Sequence, residues 1–240
     1  MRTLTLLLFI LGSCSLFSQN YQSNISIQIG GQARFSNPGP VNFAIDSLFN
    51  DIHRSARQSL SPVKWTMGFS GGIGYHKGRA NLRLLGSVYS FTSTALYTQS
   101  GEDLRRDLRF SGMEGSLTLT SELIPITDIF GFNVGGGLSA TNFRMATLVQ
   151  AESSFDEAAD LTDISSQWKV GFIIQTPFRV GIGPQVKVSV EPFYQVFFSP
   201  INAAALGEEL FGQAGPLDKL RGDADHAGFT ATIMVYLRRN

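Results

Sequence analysis

Three histidines and several groups of carboxylates are the residues whose types and spacing could do chemistry. His53-Arg54-Ser55 sets an imidazole two positions from a hydroxyl, the types that a general base and a nucleophile require, provided both are held rigidly. His76 stands beside a turn, and His226 falls in a connecting loop. Glu152, Asp156, Glu157, Asp160 and Asp163 crowd one stretch, and Asp218, Asp223 and Asp225 close another. Clustered carboxylates can hold Ca²⁺ or bridge to anions through divalent ions. Their spacing matches no calcium loop, so a solvated charged loop is the favoured reading and no metal or other cofactor is expected. Cys14 is the only cysteine, and it lies in an apolar leader. Removal of that leader leaves a chain without disulfides or thiolate chemistry. Leu11-Gly12-Ser13-Cys14 loosely resembles a lipoprotein processing site and is the less favoured alternative. The paired glycines, Gly30-Gly31, Gly71-Gly72 and Gly135-Gly136-Gly137, precede no helix, so they do not form a phosphate-cradling loop.

The elements that must position these residues begin after the leader. Met1-Arg2-Thr3 and the run Leu4 to Leu11, followed by small and polar residues, have the layout of a signal peptide over 1–18, too short to span a bilayer. Cleavage after Ser18 leaves residues 19–240 as one domain. Charged residues make up 16% of the chain, below the usual ~25%, while Gly (25) and Phe (19) are abundant. Nineteen basic and nineteen acidic residues balance, so there is no basic footprint for nucleic acid. A leader, little charge, many aromatics and no long apolar run leave two architectures: a membrane β-barrel or an exported soluble β-sandwich.

Period-2 patterning decides the number of strands. Apolar residues occupy alternate positions near 24–35, 63–76, 81–97, 110–122, 130–145, 167–176, 185–198 and 227–237. In the third stretch Tyr89 and Phe91 fall in the opposite phase, which calls for a bulge or for aromatic filling of the interior. The connections alternate long and short. Ser36–Pro62, Thr98–Arg109, Ala146–Ser166 and Ser199–His226 are long; His76–Ala80, the stretch around Pro125-Ile126-Thr127-Asp128, and Pro177–Pro184 are short. Phe35, Trp65, Trp168 and Phe198 stand in the apolar phase at one end of their strands, and Tyr75 and Phe132 at the other. Such rims form the aromatic girdle of a membrane barrel. The polar phase carries Arg34, Lys64, Arg83, Glu114, Glu122, Lys169, Lys187 and Glu191. In a lumen only wide enough for side chains such charges must pair. Arg83 with Glu122, and Lys187 with Glu191, share strand ends or faces.

The pattern thus predicts an all-β, eight-stranded antiparallel up-and-down transmembrane barrel. Its long outer loops contain short helices, and both termini lie in the periplasm. Over nearly the whole mature chain it resembles the small eight-stranded outer-membrane barrels, such as the OmpA transmembrane domain and OmpX. The leader ending Leu16-Phe17-Ser18-Gln19 is similar to those of Bacteroidota outer-membrane barrel proteins. That resemblance implies a fold and a bacterial outer-membrane location. Outer-membrane lipid and lipopolysaccharide would be its surroundings, with membership of a larger outer-membrane complex as an expectation. The chain departs from the common terminal aromatic by ending Tyr236-Leu237-Arg238-Arg239-Asn240. Lipid A deacylases and acyltransferases share the architecture, which makes His53 and Ser55 the basis of an alternative, enzymatic reading. Within the loops Ile45, Leu48, Phe49 and Ile52, and then Ala203, Leu206, Leu210 and Phe211, recur at helical spacing. They either cap the barrel mouth or dock a partner; Ile45, Leu48, Phe49, Ile52, Leu206, Leu210 and Phe211 are the candidate binding residues of a non-enzymatic accessory or surface module.

Overall fold

The computed structural model describes residues 23–125, 130–156, 159–183, 185–212, 216 and 218–237. The leader with Cys14, the turn residues 126–128 and Glu157 lie outside them. The first strand, β1 (Ser23–Ser36), shows why the sheet must close in lipid. Ile25, Ile27 and Ile29 are exposed on one face, and Ser26, Gln28, Gln32 and Arg34 are buried on the other. This inverts the usual soluble arrangement. The inversion repeats around the sheet: Phe69 is 74% exposed, whereas Arg34 is 1% exposed. A belt of exposed isoleucine, leucine, valine and phenylalanine is matched to hydrocarbon, not to water.

The remaining strands are β2 (Trp65–Lys77), β3 (Ala80–Gln99), β4 (Glu102–Pro125), β5 (Phe130–Ala151), β6 (Thr162–Gln175), β7 (Phe178–Gly181), β8 (Val186–Phe197), β9 (Ile201–Asn202), β10 (Arg221–Gly222) and β11 (His226–Leu237). All neighbours pair antiparallel, and the sheet closes where β11 meets β1 from Ile25↔Leu237 to Ser36↔His226. β6 and β7 are one barrel strand interrupted at Thr176-Pro177. Both pair with β5 and with β8, so the ring has eight members. Pro177 cannot donate to a ladder, but its carbonyl accepts the Asn133 N–H at 2.9 Å. The expected connection Pro177–Pro184 is therefore shorter than its proline and glycine content suggests, because Phe178–Gly181 is strand.

Two long connections are also shorter than expected. β3 and β4 continue as a paired ribbon to a two-residue turn, Ser100-Gly101, with φ of 54° and 83°. Both angles are positive, as a tight hairpin of type I′ requires. The expected loop Thr98–Arg109 is thus mostly strand. β5 likewise runs to Ala151 and β6 starts at Thr162, which reduces the loop expected over 146–166 to residues 152–161.

On these ribbons the phase holds while the chemistry reverses. Below Val88, β3 points Leu82 and Leu84 outward and Arg83 inward. Above it Ser90 and Thr92 are exposed, and Tyr89, Ala95 and Tyr97 are buried. No bulge interrupts the pairing of β3 with β4. β4 changes in the same way, from inward Glu114, Ser116 and Thr118 to inward Leu108 and Phe110, and β5 from Ser139 and Thr141 to Phe143 and Met145. The reversal marks where the strands leave the lipid. Outside it, water is the exterior solvent and the interior is free to become apolar.

Candidate functional site

The lower part of the interior is a polar lumen crossed by two ion pairs. Arg34 Nη1 donates to Glu114 Oε2 at 2.8 Å and to Gln195 Oε1 at 3.0 Å, while Nη2 donates to Gln32 Oε1 and Ser87 Oγ, each at 3.1 Å. Glu114 also accepts from Thr141 Oγ1 at 3.1 Å, and Gln195 Nε2 donates to Ser139 Oγ at 2.7 Å. The Arg34 guanidinium lies 4.2 Å from the Tyr89 ring centroid. Tyr89 fits there because its register partner is Gly112, where a Cβ would strike the ring. Nearer the other end, Arg83 Nη1 donates to Glu191 Oε1 at 2.6 Å. The partner of Arg83 is therefore Glu191, four strands around the ring and so directly opposite, and not Glu122 on the next strand. Lys187 stands over the Tyr236 ring at 5.5 Å. Proximity along a strand misleads here because inward side chains meet across the lumen axis. His76, beside the β2–β3 turn, faces the lumen in a 2.8 Å hydrogen bond with Ser26 Oγ.

Above the reversal stands a folded cap. The loop after β1 forms a helix, α1 (Gly39–Phe43), with proline in its first turn. It continues over Ala44–Asn50 with π-type spacing, closed by the Asp51 N–H bond to Asp46 O at 3.1 Å. Asn42 and Asn50 fasten the returning chain: each amide both donates to and accepts from the backbone, at Val63 and Leu60 respectively, over 2.7–3.0 Å. α2 (Ala204–Phe211) ends at Gly212, whose φ of 72° forms a left-handed cap. Ile45, Leu48, Phe49, Leu206 and Leu210 are buried in one cluster with Val41, Leu60 and Leu220, and with the inward faces of β3, β4 and β5. Arg106 ties β4 into it, 3.6 Å from the Glu209 carboxylate and 5.6 Å over the Phe49 ring.

This burial corrects the expectation that all seven apolar loop residues are free to bind. Five of them form the cap's own core, since short amphipathic helices are stable only against an apolar partner, and the reversed ribbons supply one. Ile52 and Phe211 remain, at 51% and 40% exposed. Ile52 lies beyond the helical segment, and Phe211 is the last residue of α2. The girdle residues Phe35, Trp65, Tyr75, Trp168 and Phe198 are exposed on the outer wall, with Phe35 paired in register to Trp65. Phe132 is half-buried against Phe178, ring centroids 4.9 Å apart.

The histidines take structural places. His53 packs between Phe49 and Tyr97, at 4.6 and 4.3 Å, and no hydrogen bond joins it to the exposed Ser55. His226 opens β11 instead of lying in the loop, buried against Phe143, Phe197 and Tyr89. Its preceding turn signals, Gly222 and Asp223, hid the strand start. Among the described residues no three His, Cys, Asp or Glu side chains are grouped to hold a metal. Glu152 instead pairs with Arg57, and Asp225 accepts the Phe197 N–H at 3.2 Å.

Burial, with repulsion from Arg106, holds the His53 imidazole below its ordinary 6.5. Between the depressed value and 6.5 the unfolded chain carries a proton at this site and the folded cap does not. The stabilisation is therefore fully present above about 6.5 and is lost as pH falls through that window. Hydrogen-exchange protection factors in the cap should drop between pH 7.5 and 5. His53→Phe, which keeps the ring packing without the titration, should reduce that drop; an unchanged pH dependence would remove His53 as its source.

No family model matches the chain, and no curated protein matches it in sequence. Among solved structures, outer membrane protein OprG from Pseudomonas aeruginosa is similar at TM-score 0.49 and 12% identity, covering 91% of this chain and 98% of that one. Neisserial surface protein A gives 0.46 and 12%, covering 89% and 98%. Ail, the attachment invasion locus protein of Yersinia pestis, gives 0.40 and 10%, covering 91% and 100%. The closed ring, apolar belt and polar lumen have the architecture of the small eight-stranded outer-membrane β-barrels.

Proposed function

We propose that this chain is a non-enzymatic integral outer-membrane barrel that serves as an accessory subunit or surface binding module. Its capped end is the working surface, facing outside the cell, with both termini in the periplasm. The observation that supports this most is the cap itself. Its loops are folded around an apolar core and pinned by side-chain-to-backbone bonds, yet two large apolar side chains, Ile52 and Phe211, are left in water. Ordered loops with exposed anchors suit recognition of a larger outer-membrane protein or of lipopolysaccharide. The lumen supports the same reading, since Arg34, Glu114 and Gln195 join across it. The His53 and Ser55 pair lends little to lipid A modification, because the imidazole is held by Phe49 and Tyr97.

Extraction from native membranes in an uncharged detergent, followed by cross-linking and mass spectrometry, tests the proposal. A partner or bound lipopolysaccharide should be recovered with the wild type and reduced at least fivefold in Ile52→Asp/Phe211→Asp. Recovery unchanged by the double substitution, or an altered lipid A mass in cells lacking the gene, would overturn it.

A further inference from the structure

The end of the barrel away from the cap opens into a cavity of about 150 Å³. Arg179 from β7, Lys187 from β8, Asn81 from β3 and Arg79 from the β2–β3 turn line it, against the carboxylate of Glu122. Arg179 and Asn81 are deeply buried, at 9% and 2% exposed. Arg179 Nε has no hydrogen-bond partner, and neither does either polar atom of Asn81. The one side-chain bond of Arg179 among the described residues is a long 3.5 Å contact with Thr120 Oγ1. Glu191, a buried carboxylate of the same lumen, is engaged by Arg83 at 2.6 Å. Glu122 forms no ion pair among the described residues. Among the described residues no carboxylate lies within ion-pair distance of Arg179, and a guanidinium at this depth is costly unless an anion accompanies it.

We propose that this vestibule binds a phosphate group that retains one proton, as inorganic phosphate or as a phosphomonoester. Arg179 supplies a planar fork matched to two oxygens. Lys187 adds a point charge at the rim, and the Asn81 amide adds a neutral donor. Glu122 only accepts, so it pairs with the P–OH of hydrogen phosphate and repels sulfate, which has no such proton at neutral pH. The four side chains come from four separate barrel strands, so the rigid ring holds the site ready. Under the proposed topology it faces the periplasm, apart from the outer surface assigned above.

Calorimetric titration of the full chain, refolded in a maltoside detergent at constant ionic strength and pH 7, tests the site. Inorganic phosphate and glycerol 1-phosphate are the two ligand arms, and sulfate is the control. Saturable binding of phosphate at least tenfold tighter than sulfate is expected. Binding of glycerol 1-phosphate as well assigns the site to monoesters, and its exclusion assigns it to the free ion. Lys187→Gln and Arg179→Gln should each weaken phosphate at least tenfold. Glu122→Gln should lower the phosphate-to-sulfate preference at least tenfold. Arg179→Gln tests the deep position, while Lys187→Gln and Glu122→Gln, both half-buried, keep the test intact if it fails to fold. No saturable phosphate binding, or sulfate bound equally well by the wild type, overturns the proposal.

Discussion

Glu114→Gln should destabilise the barrel by about 3–5 kcal/mol, although the two side chains are nearly the same size. Glu114 is the anion for Arg34, whose guanidinium is buried between Tyr89 and Phe193 and donates to four side chains. Glutamine can still accept a hydrogen bond, but it cannot neutralise the charge, and among the described residues Arg34 has no second carboxylate within ion-pair distance. Removing one partner of a buried pair leaves the other uncompensated, so the loss exceeds the net worth of the pair itself. It follows that Arg34→Leu/Glu114→Leu should cost less than Glu114→Gln alone. Urea unfolding from lipid vesicles, followed by Trp65 and Trp168 fluorescence, measures both. A loss below about 1 kcal/mol in Glu114→Gln, the scale of a solvated surface pair, would mean that water reaches and screens Arg34.

The barrel was legible because lipid imposes a simple rule: apolar outward and polar inward at every second residue. Ile25 to Phe35 and Trp65 to Tyr75 obey it without exception, and their register pairing follows. The same rule concealed the upper ribbons. Arg105, Asp107 and Arg109 read as loop because they are charged, yet they alternate with Leu104, Arg106, Leu108 and Phe110 on a regular ladder. Tyr89 and Phe91 depart from the apolar-outward pattern for the same reason: the inward phase continues and only the exterior solvent changes. Helical spacing at Ile45, Leu48 and Phe49 and at Leu206 and Leu210 was visible, but what those helices would cover was not. Their partner is the apolar inner face of the ribbons, which exists only after the strands have paired. The pairing of Arg83 with Glu191 rests on the closed ring, in which residues 108 positions apart meet across the lumen.

Phe49→Ala should unfold the cap while leaving the barrel closed. Its ring is 1% exposed and meets Tyr97 edge-on at 5.3 Å, with His53 and Arg106 against its faces. Truncating a buried phenylalanine costs about 3–5 kcal/mol, a large share for a cluster built from two short helices and the ends of three strands. The membrane-spanning ladders share few of those contacts, and Arg34 and Glu114 lie below the reversal at Tyr89, Gly112 and Phe143. Limited proteolysis should therefore cut the variant within 36–64 and 199–225, while its heat-modifiable gel mobility and its urea midpoint stay near wild type. Planar-bilayer recordings should remain without steady conductance, because the Arg34, Glu114 and Gln195 network still crosses the lumen. If conductance appears when only the cap is lost, the seal resides in the cap, and the lumen network serves stability alone.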